Sequence, residues 1–383
     1  MNCNRTLKSQ RKSRSTRRMA YLCLQATSER QASYAHVHEI IKGLERRGWE
    51  VQFFEPVYDR EMPPGPIARL LWFVLVQVKL WFSKPPNVVY IRHHFAALPT
   101  AIWARLMRLP VLQEVNGPYE DLFIAWPFTR KFASVFKWMM RTQLRLASAV
   151  ITVTSQLAEW VKRESGATQV FVIPNGVTVE LFKPGAALYS GLSLPEKFVV
   201  FFGALAPWQG IEAMLEAVEQ PEWPSDVKLV ILGDGAEREK VERAARDGKE
   251  VVYLGTVPYR AVPGIVAKAI AGLSPQNSLG DRGSTGLFPL KVLETLACGV
   301  PIILTDFPGI AEIVKKAGCG IVIPPEDPRS LAQAVRYLYE HPEERARMGR
   351  IGRELVVEEH SWDSRAALTD AVLKNLLRVK SNG

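Results

Sequence analysis

Cysteine is scarce: four in 383 residues, at positions 3, 23, 298 and 319, with no C-x-x-C and no repeated spacing. That excludes a disulfide framework and a cysteine zinc site, and makes a reducing cytoplasm the expected compartment. Long apolar runs are missing as well. The longest near the front, Leu70 to Val76, falls far short of the roughly 20 residues that a spanning helix needs. The first 18 residues lack both acids and an apolar block, while carrying Arg5, Lys8, Arg11, Lys12, Arg14, Arg17 and Arg18. Such a segment reads as a solvated basic tail over 1–18 and not as a secretion signal, and Met19 is an alternative start for the folded chain.

What is present is globular. The chain is 47% hydrophobic and 23% charged with 26 Gly and 26 Pro, and is long enough for two domains. Its net charge of +10 is uneven: residues 1–185 hold 26 Lys and Arg against 13 Asp and Glu, whereas the remainder holds 23 against 26. An anionic membrane surface, a phosphorylated substrate or nucleic acid would each suit a basic first half. No nucleic-acid module is recognisable, so no specific nucleic-acid partner is expected.

Apolar segments alternate with helical periods along the chain. Ala20–Leu24 leads to a helix with Val37, Ile40, Ile41 and Leu44 on one face; strands follow at Val51–Phe53, Val88–Ile91 and Val111–Leu112. A second series runs through Phe198–Phe202, Lys228–Leu232, Val251–Leu254, Ile270–Leu273, Ile302–Leu304 and Ile321–Val322. Repeated βαβ units of this kind predict an α/β chain of two doubly wound, Rossmann-like domains, 19–185 and 186–365, joined near Pro184–Leu194, with a C-terminal helix over 366–383 packing back toward the first domain. Ligands of such sheets bind outside the carboxyl ends of the strands, which points to the cleft between the domains.

Chemistry concentrates after those strands. Gly203 to Gly210 forms a glycine-flanked strand-to-helix turn, equally compatible with an anion site and with a plain connection. Gly233-Asp234-Gly235 ends the next strand as a tight turn, and Val257-Pro258 follows Leu254-Gly255 where a base has room to lie. Pro289 and Gly299 bracket a helix of about 289–298. Its first turn, at Leu290 and Lys291, offers N–H groups and an ammonium to an anion, and Glu294 sits one turn on, where a carboxylate suits a ribose. Solvated helix residues are the alternative for both Lys291 and Glu294.

The run Leu287 to Glu294, continuing through Ala297-Cys298-Gly299-Val300-Pro301 and Gly309 to Val314, resembles the signature of the family 4 retaining glycosyltransferases. Val172 to Val177, with Phe182 and Pro184 after it, is similar to that family's interdomain marker. Gln31-Ala32-Ser33, Tyr90-Ile91-Arg92, Glu114 to Gly117, Gly203…Gly210, Gly233-Asp234-Gly235 and Ser361-Trp362 fall in the family order, so the resemblance covers about residues 19–380. It implies the GT-B fold and transfer of a sugar, with retention and without a metal or other cofactor, from a nucleotide-sugar donor, a UDP- or GDP-sugar. Glu294 would hold the ribose, Gly203, Gln209, Leu290 and Lys291 the diphosphate, and Val257-Pro258 the base. Ser33 would reach toward the phosphates, and Glu294, Lys291, Asn116 and His94 would be the catalytic residues. A glycan or lipid-linked acceptor is the expected partner.

Three positions depart from the family pattern. Gly286 replaces a sugar-contacting Glu, Ala204 and Gln209 replace a basic pair, and Asn116 replaces a His, with His93 and His94 nearby. Lys291 and Arg282 are the expected substitutes for the lost charge; a degenerate protein that binds without turnover is the alternative. An epimerase or a phosphorylase on the same fold is disfavoured by the signature around Glu294 and by the lack of an identifiable pyridoxal phosphate lysine. Finally, a helix over Ile67–Phe82 is expected to bury Ile67, Leu70, Leu71, Val74, Val78 and Trp81 and to present Arg69, Trp72, Phe73 and Lys79 outward. That arrangement, with the basic aromatic stretch from Phe123 to Arg141, is equally compatible with peripheral association with the inner face of an anionic membrane and with core aromatics of a helical layer or a protein interface.

Overall fold

The computed structural model describes residues 17–27, 32–58, 64–248, 250–278 and 281–382. Twelve strands form two sheets. In the first, β1 (Arg17–Leu22), β2 (Trp49–Phe54), β3 (Val88–Arg92), β4 (Val111–Val115), β5 (Ala149–Thr152) and β6 (Val170–Val172) lie in the order β2-β1-β3-β4-β5-β6. In the second, β7 (Phe198–Phe202), β8 (Lys228–Leu232), β9 (Val251–Gly255), β10 (Gly272–Ser274), β11 (Ile302–Thr305) and β12 (Gly320–Ile323) lie in the order β12-β11-β10-β7-β8-β9. Every pairing is parallel. Parallel strands need crossovers that cover both faces, which is why β7 can read Phe-Val-Val-Phe-Phe without a polar residue and be buried throughout. The expected doubly wound α/β architecture is therefore present in both halves.

Strand order reverses between β1 and β3 in the first sheet and between β7 and β10 in the second. Those two reversal points set where crevices open. Beyond β10, the backbone comes so close to the turn after β7 that a Cβ on Gly210 would lie 1.7 Å from Pro275 O; Gly210, at φ +70, is therefore required there.

The chain crosses between the halves twice, and the crossings are bonded together: Val177 N donates to His360 O at 2.9 Å and Trp362 N to Val177 O at 3.2 Å. Arg353 fastens the first crossing to the second half through Val179 O, Phe182 O and Ala297 O, at 2.8 to 3.2 Å. After the second crossing, the Trp362–Asn382 helix lies along the Ala32–Arg46 helix of the first half. Trp49 Nε1 donates to the buried Asp370 at 2.8 Å, Arg47 pairs with Asp363 at 2.8 Å, and Gly43 leaves room for Ala366.

Several expectations change. The first strand starts at Arg17, so the end of the expected tail belongs to the sheet, where Arg18 N is held by Asn87 Oδ1 at 2.7 Å; residues 1–16 lie outside the described residues. The helix expected over Ile67–Phe82 forms as Pro66–Trp81, but its faces are inverted: Val76, Gln77 and Leu80 are buried, whereas Ile67, Leu70, Leu71 and Val74 are exposed. Trp72 and Phe73 pack against the inner cluster, and Arg69 turns to Pro64 O and the Trp126 ring, so the outward aromatic face assigned to Arg69, Trp72 and Phe73 does not exist. Gln77 bonds with Thr100 and with Phe73 O and Ala96 O on a side that is itself apolar, where Trp72, Phe73, Val76, Leu80 and the expected core residue Trp81 pack inward.

Candidate functional site

A cleft of about 270 Å³ opens between the carboxyl ends of the two sheets. Its first-half wall comes from residues just past strand ends, Gln25 after β1, Arg92 ending β3, and Asn116, Gly117 and Asp121 after β4, together with His36. Its second-half wall is Thr285 to Leu290, the loop that enters the Leu290–Ala297 helix.

Glu114 organises the first wall. This buried carboxylate, in a strand buried throughout, accepts from Tyr90 at 2.5 Å and Tyr21 at 3.3 Å on one oxygen, and from Asn116 at 2.6 Å, His36 at 2.8 Å and Arg92 at 2.9 Å on the other. Burial alone favours the neutral acid, but His36 and Arg92 hold the carboxyl well below its usual range. The network crosses the cleft. His36 Nδ1 lies 3.0 Å from Asn175 Oδ1 on the first crossing, and Asn175 Nδ2 donates to Phe288 O at 2.7 Å, beside the helix start.

In the second half, next to that loop and helix, the turn after β7 is bare backbone: Gly203 has φ +136, and both it and Ala204 are exposed. Lys291 reaches into this turn from the helix, donating to Gln209 Oε1 at 2.8 Å with its ammonium 3.8 Å from the Phe201 ring centroid. Glu294 lies one turn on and accepts from the Tyr259 hydroxyl at 2.6 Å. Burial pushes Lys291 down to about 7 against the pull of Glu294. It pushes Glu294 up to about 7, against Tyr259 and Lys291, which act the other way. An anionic ligand arriving here would favour the charged ammonium.

Of the residues singled out by sequence, Leu290 and Asn116 line the cleft from its two walls, while Gly203, Gln209, Lys291 and Glu294 come together beside the turn after β7, beyond the residues that line it. Val257 and the exposed Pro258 immediately precede Tyr259, and so flank the Glu294 contact. His94 is not brought to the cleft: burial holds its imidazole neutral, at about 3, its Nδ1 accepts from Ala96 N, and its ring packs on Phe73 and Phe95. Ser33 belongs to the Ala32–Arg46 helix, and the Ser33 and Arg282 side chains lie outside the described residues. Gly286 explains its own departure. It has φ +80, and a Cβ there would lie 3.0 Å from Thr154 Oγ1, which donates to Thr285 O at 2.7 Å across the cleft. A glutamate has no place at this contact.

Sequence reasoning passed over His36, Glu114 as a hub, Asn175 and Tyr259. The available signal was Glu114 itself, an acid in the middle of a strand that is otherwise fit only for burial.

Residues 190–355 match the family Glycosyl transferases group 1, and residues 35–181 match Glycosyltransferase Family 4. The chain is 24% identical over 347 residues to a phosphatidyl-myo-inositol mannosyltransferase of Mycobacterium leprae, covering 86% of this chain and 88% of that protein. Among solved structures, sucrose-phosphate synthase of Thermosynechococcus elongatus superposes with a TM-score of 0.80 at 20% identity, over 95% of this chain and all of the other. HepE of Anabaena, solved with UDP-glucose, superposes with a TM-score of 0.68 at 17% identity, over 94% and 99%. The arrangement of two parallel six-stranded sheets is the GT-B fold.

Proposed function

The chain belongs to glycosyltransferase family 4, and from that premise we propose that it moves a sugar from a UDP- or GDP-sugar to an acceptor hydroxyl, with retention and without a metal, releasing the nucleoside diphosphate. The observation that carries this reading is the joining of Lys291 to Gln209 in the bare turn after β7, one helical turn from Glu294. A leaving diphosphate gains negative charge, and a buried ammonium on the first turn of a helix stabilises that charge. Glu294 suits the ribose hydroxyls, which can replace the Tyr259 hydroxyl as its partner. Asn116, held by Glu114, faces the acceptor side. The bound UDP-glucose of HepE and the mannosyl transfer named for the M. leprae relative support a hexose donor.

The acceptor fits a lipid-linked or surface glycan, handled at the cytoplasmic face of a membrane with which the protein associates peripherally. No helix among the described residues is long and apolar enough to cross that membrane. Gly286 supports a second reading, binding without turnover, because the carboxylate the family pattern places there is absent.

A thermal-shift panel of UDP, GDP, ADP and their sugars tests donor binding, since a ligand at 100 times its Kd stabilises by about 2.7 kcal/mol. Release of nucleoside diphosphate from the stabilising sugar nucleotide, measured with and without EDTA, separates turnover from binding and tests the metal. A chain that no nucleotide stabilises overturns the donor reading.

A further inference from the structure

The Pro66–Trp81 helix keeps its longest apolar stripe on the outside. Ile67, Leu70, Leu71, Val74 and Leu75 follow the i, i+3, i+4, i+7, i+8 spacing of one helix face, and each is at least 51% exposed. Phe82, just past the helix, extends the stripe at 85% exposure. Isolated exposed leucines need no explanation, but a continuous stripe does.

The stripe also has neighbours. The Arg69 guanidinium lies 4.9 Å over the Trp126 ring, and Phe73, Phe95 and Phe136 pack edge to face, which joins this helix to the Ala133–Leu146 helix in one layer. That layer exposes Phe128, Phe132 and Trp138 as well. Of the 21 large hydrophobic residues exposed among the described residues, 14 lie between residues 64 and 148. The same stretch holds eleven Lys and Arg against three Asp and Glu. One of those acids, Glu114, is buried, and another, Glu120, pairs with Lys137 at 3.6 Å. Lys79, Arg130 and Lys131 stand exposed in this region.

We propose that this layer is a docking surface for an anionic lipid bilayer, the apolar stripe and aromatic rings entering below the headgroups while the surrounding cations meet lipid phosphates. The proposal rests on the membrane-associated transferase reading and gives it a contact surface. A second copy would also cover an apolar face, but it would set the excess of cations in this layer against itself. A bilayer carrying acidic lipids accounts for both features.

The full chain is sedimented with phosphatidylcholine vesicles and with vesicles that also contain phosphatidylglycerol, at about 0.05 M and about 0.5 M salt, a range over which screening lengths shorten severalfold. Binding to the acidic vesicles is expected to exceed binding to neutral ones by about tenfold or more and to fall as salt rises. The exposed-site variant Leu71→Gln, Val74→Gln, Leu75→Gln is expected to lose about nine-tenths of that binding, whereas Val357→Gln, an exposed site on the other half, keeps it. Equal binding to both vesicle types, or binding unchanged in the triple variant, overturns the proposal. So does a dimer in sedimentation velocity that the triple variant dissociates, which assigns the face to a second copy. Nucleotide thermal shifts on the same samples separate the two readings: a shift without vesicle binding removes only the docking surface, and vesicle binding without a shift removes only the donor site.

Discussion

Tyr259 donates its hydroxyl to Glu294 at 2.6 Å, so the carboxyl proposed to hold the ribose already has a partner before any nucleotide arrives. Glu294→Ala is expected to weaken nucleoside and nucleoside diphosphate alike, by about 1–3 kcal/mol, since the ribose is common to both. Tyr259→Phe removes the competing donor and is expected to tighten nucleoside binding slightly. Calorimetry on the two variants checks both signs.

Lys291 gives a different pattern. If its ammonium serves the diphosphate from its place beside Gln209, Lys291→Met costs about 1.5–3 kcal/mol in nucleoside diphosphate affinity and leaves nucleoside affinity unchanged. An equal loss for both ligands would show that the ammonium contacts no phosphate.

The Glu294 carboxyl also makes stability depend on pH. Burial raises it in the folded protein, from 4.5 to about 7. Its favourable contribution is therefore complete below pH 4.5 and is lost as pH rises toward 7. Glu294→Gln, which cannot ionise, is expected to gain stability relative to the parent between pH 4.5 and 7.5, by up to roughly 3 kcal/mol. Urea unfolding at the two pH values measures that difference, and a parent and variant that track each other would contradict it.

Glu114 behaves in the opposite sense. Its folded-state carboxyl is held below 4.5 by His36 and Arg92, so its contribution is present above pH 4.5 and is lost as pH falls below it. Glu114→Gln leaves Arg92 and His36 without a counter-charge and is expected to cost about 3–5 kcal/mol at pH 7, with the gap from the parent narrowing at pH 3.5. Denaturant midpoints of both proteins at the two pH values check this.

Restoring the family pattern at position 286 is expected to fail. Gly286→Glu meets both the positive φ and Thr154, so nucleotide turnover should fall and not rise. Gly286→Ala alone should lower stability by about 1–3 kcal/mol, as read from thermal unfolding.

What was legible in the sequence tracks how local its cause is. Phe198–Phe202 and Lys228–Leu232 were found to the residue because apolar runs between glycines and helices leave little choice. The Leu290–Ala297 helix was equally plain, from Pro289 before it and Gly299 after it, but its residues alone favoured a solvated Lys291 and Glu294, and both are buried. The Pro66–Trp81 helix was found but faced largely the wrong way, because it is apolar on both sides and its period does not say which side the rest of the domain covers; the side that packs carries Trp72, Phe73, Val76 and Leu80, with Gln77 bonding to Thr100. His94 was misplaced for a related reason. Being adjacent to a strand end does not say whether a ring turns to the cleft or back onto Phe73. The His36–Asn175–Phe288 chain joins residues 139 and 113 positions apart, and no local pattern reports such a meeting.

Because the two interdomain crossings are hydrogen-bonded to each other at Val177, His360 and Trp362, the halves share a single pivot instead of two separated tethers. Two tethers set apart would confine the halves to rotation about the line that joins them; a paired crossing imposes no such axis. Any rotation about that pivot would widen the cleft as a wedge, with the greatest travel far from the pivot and almost none beside it. Asn175, two residues from Val177, sits near the apex, so the Asn175 link between His36 and Phe288 can persist through a swing that carries the outer rims of the walls apart. A substrate would thus enter from the wide side and meet the Glu114-held groups last.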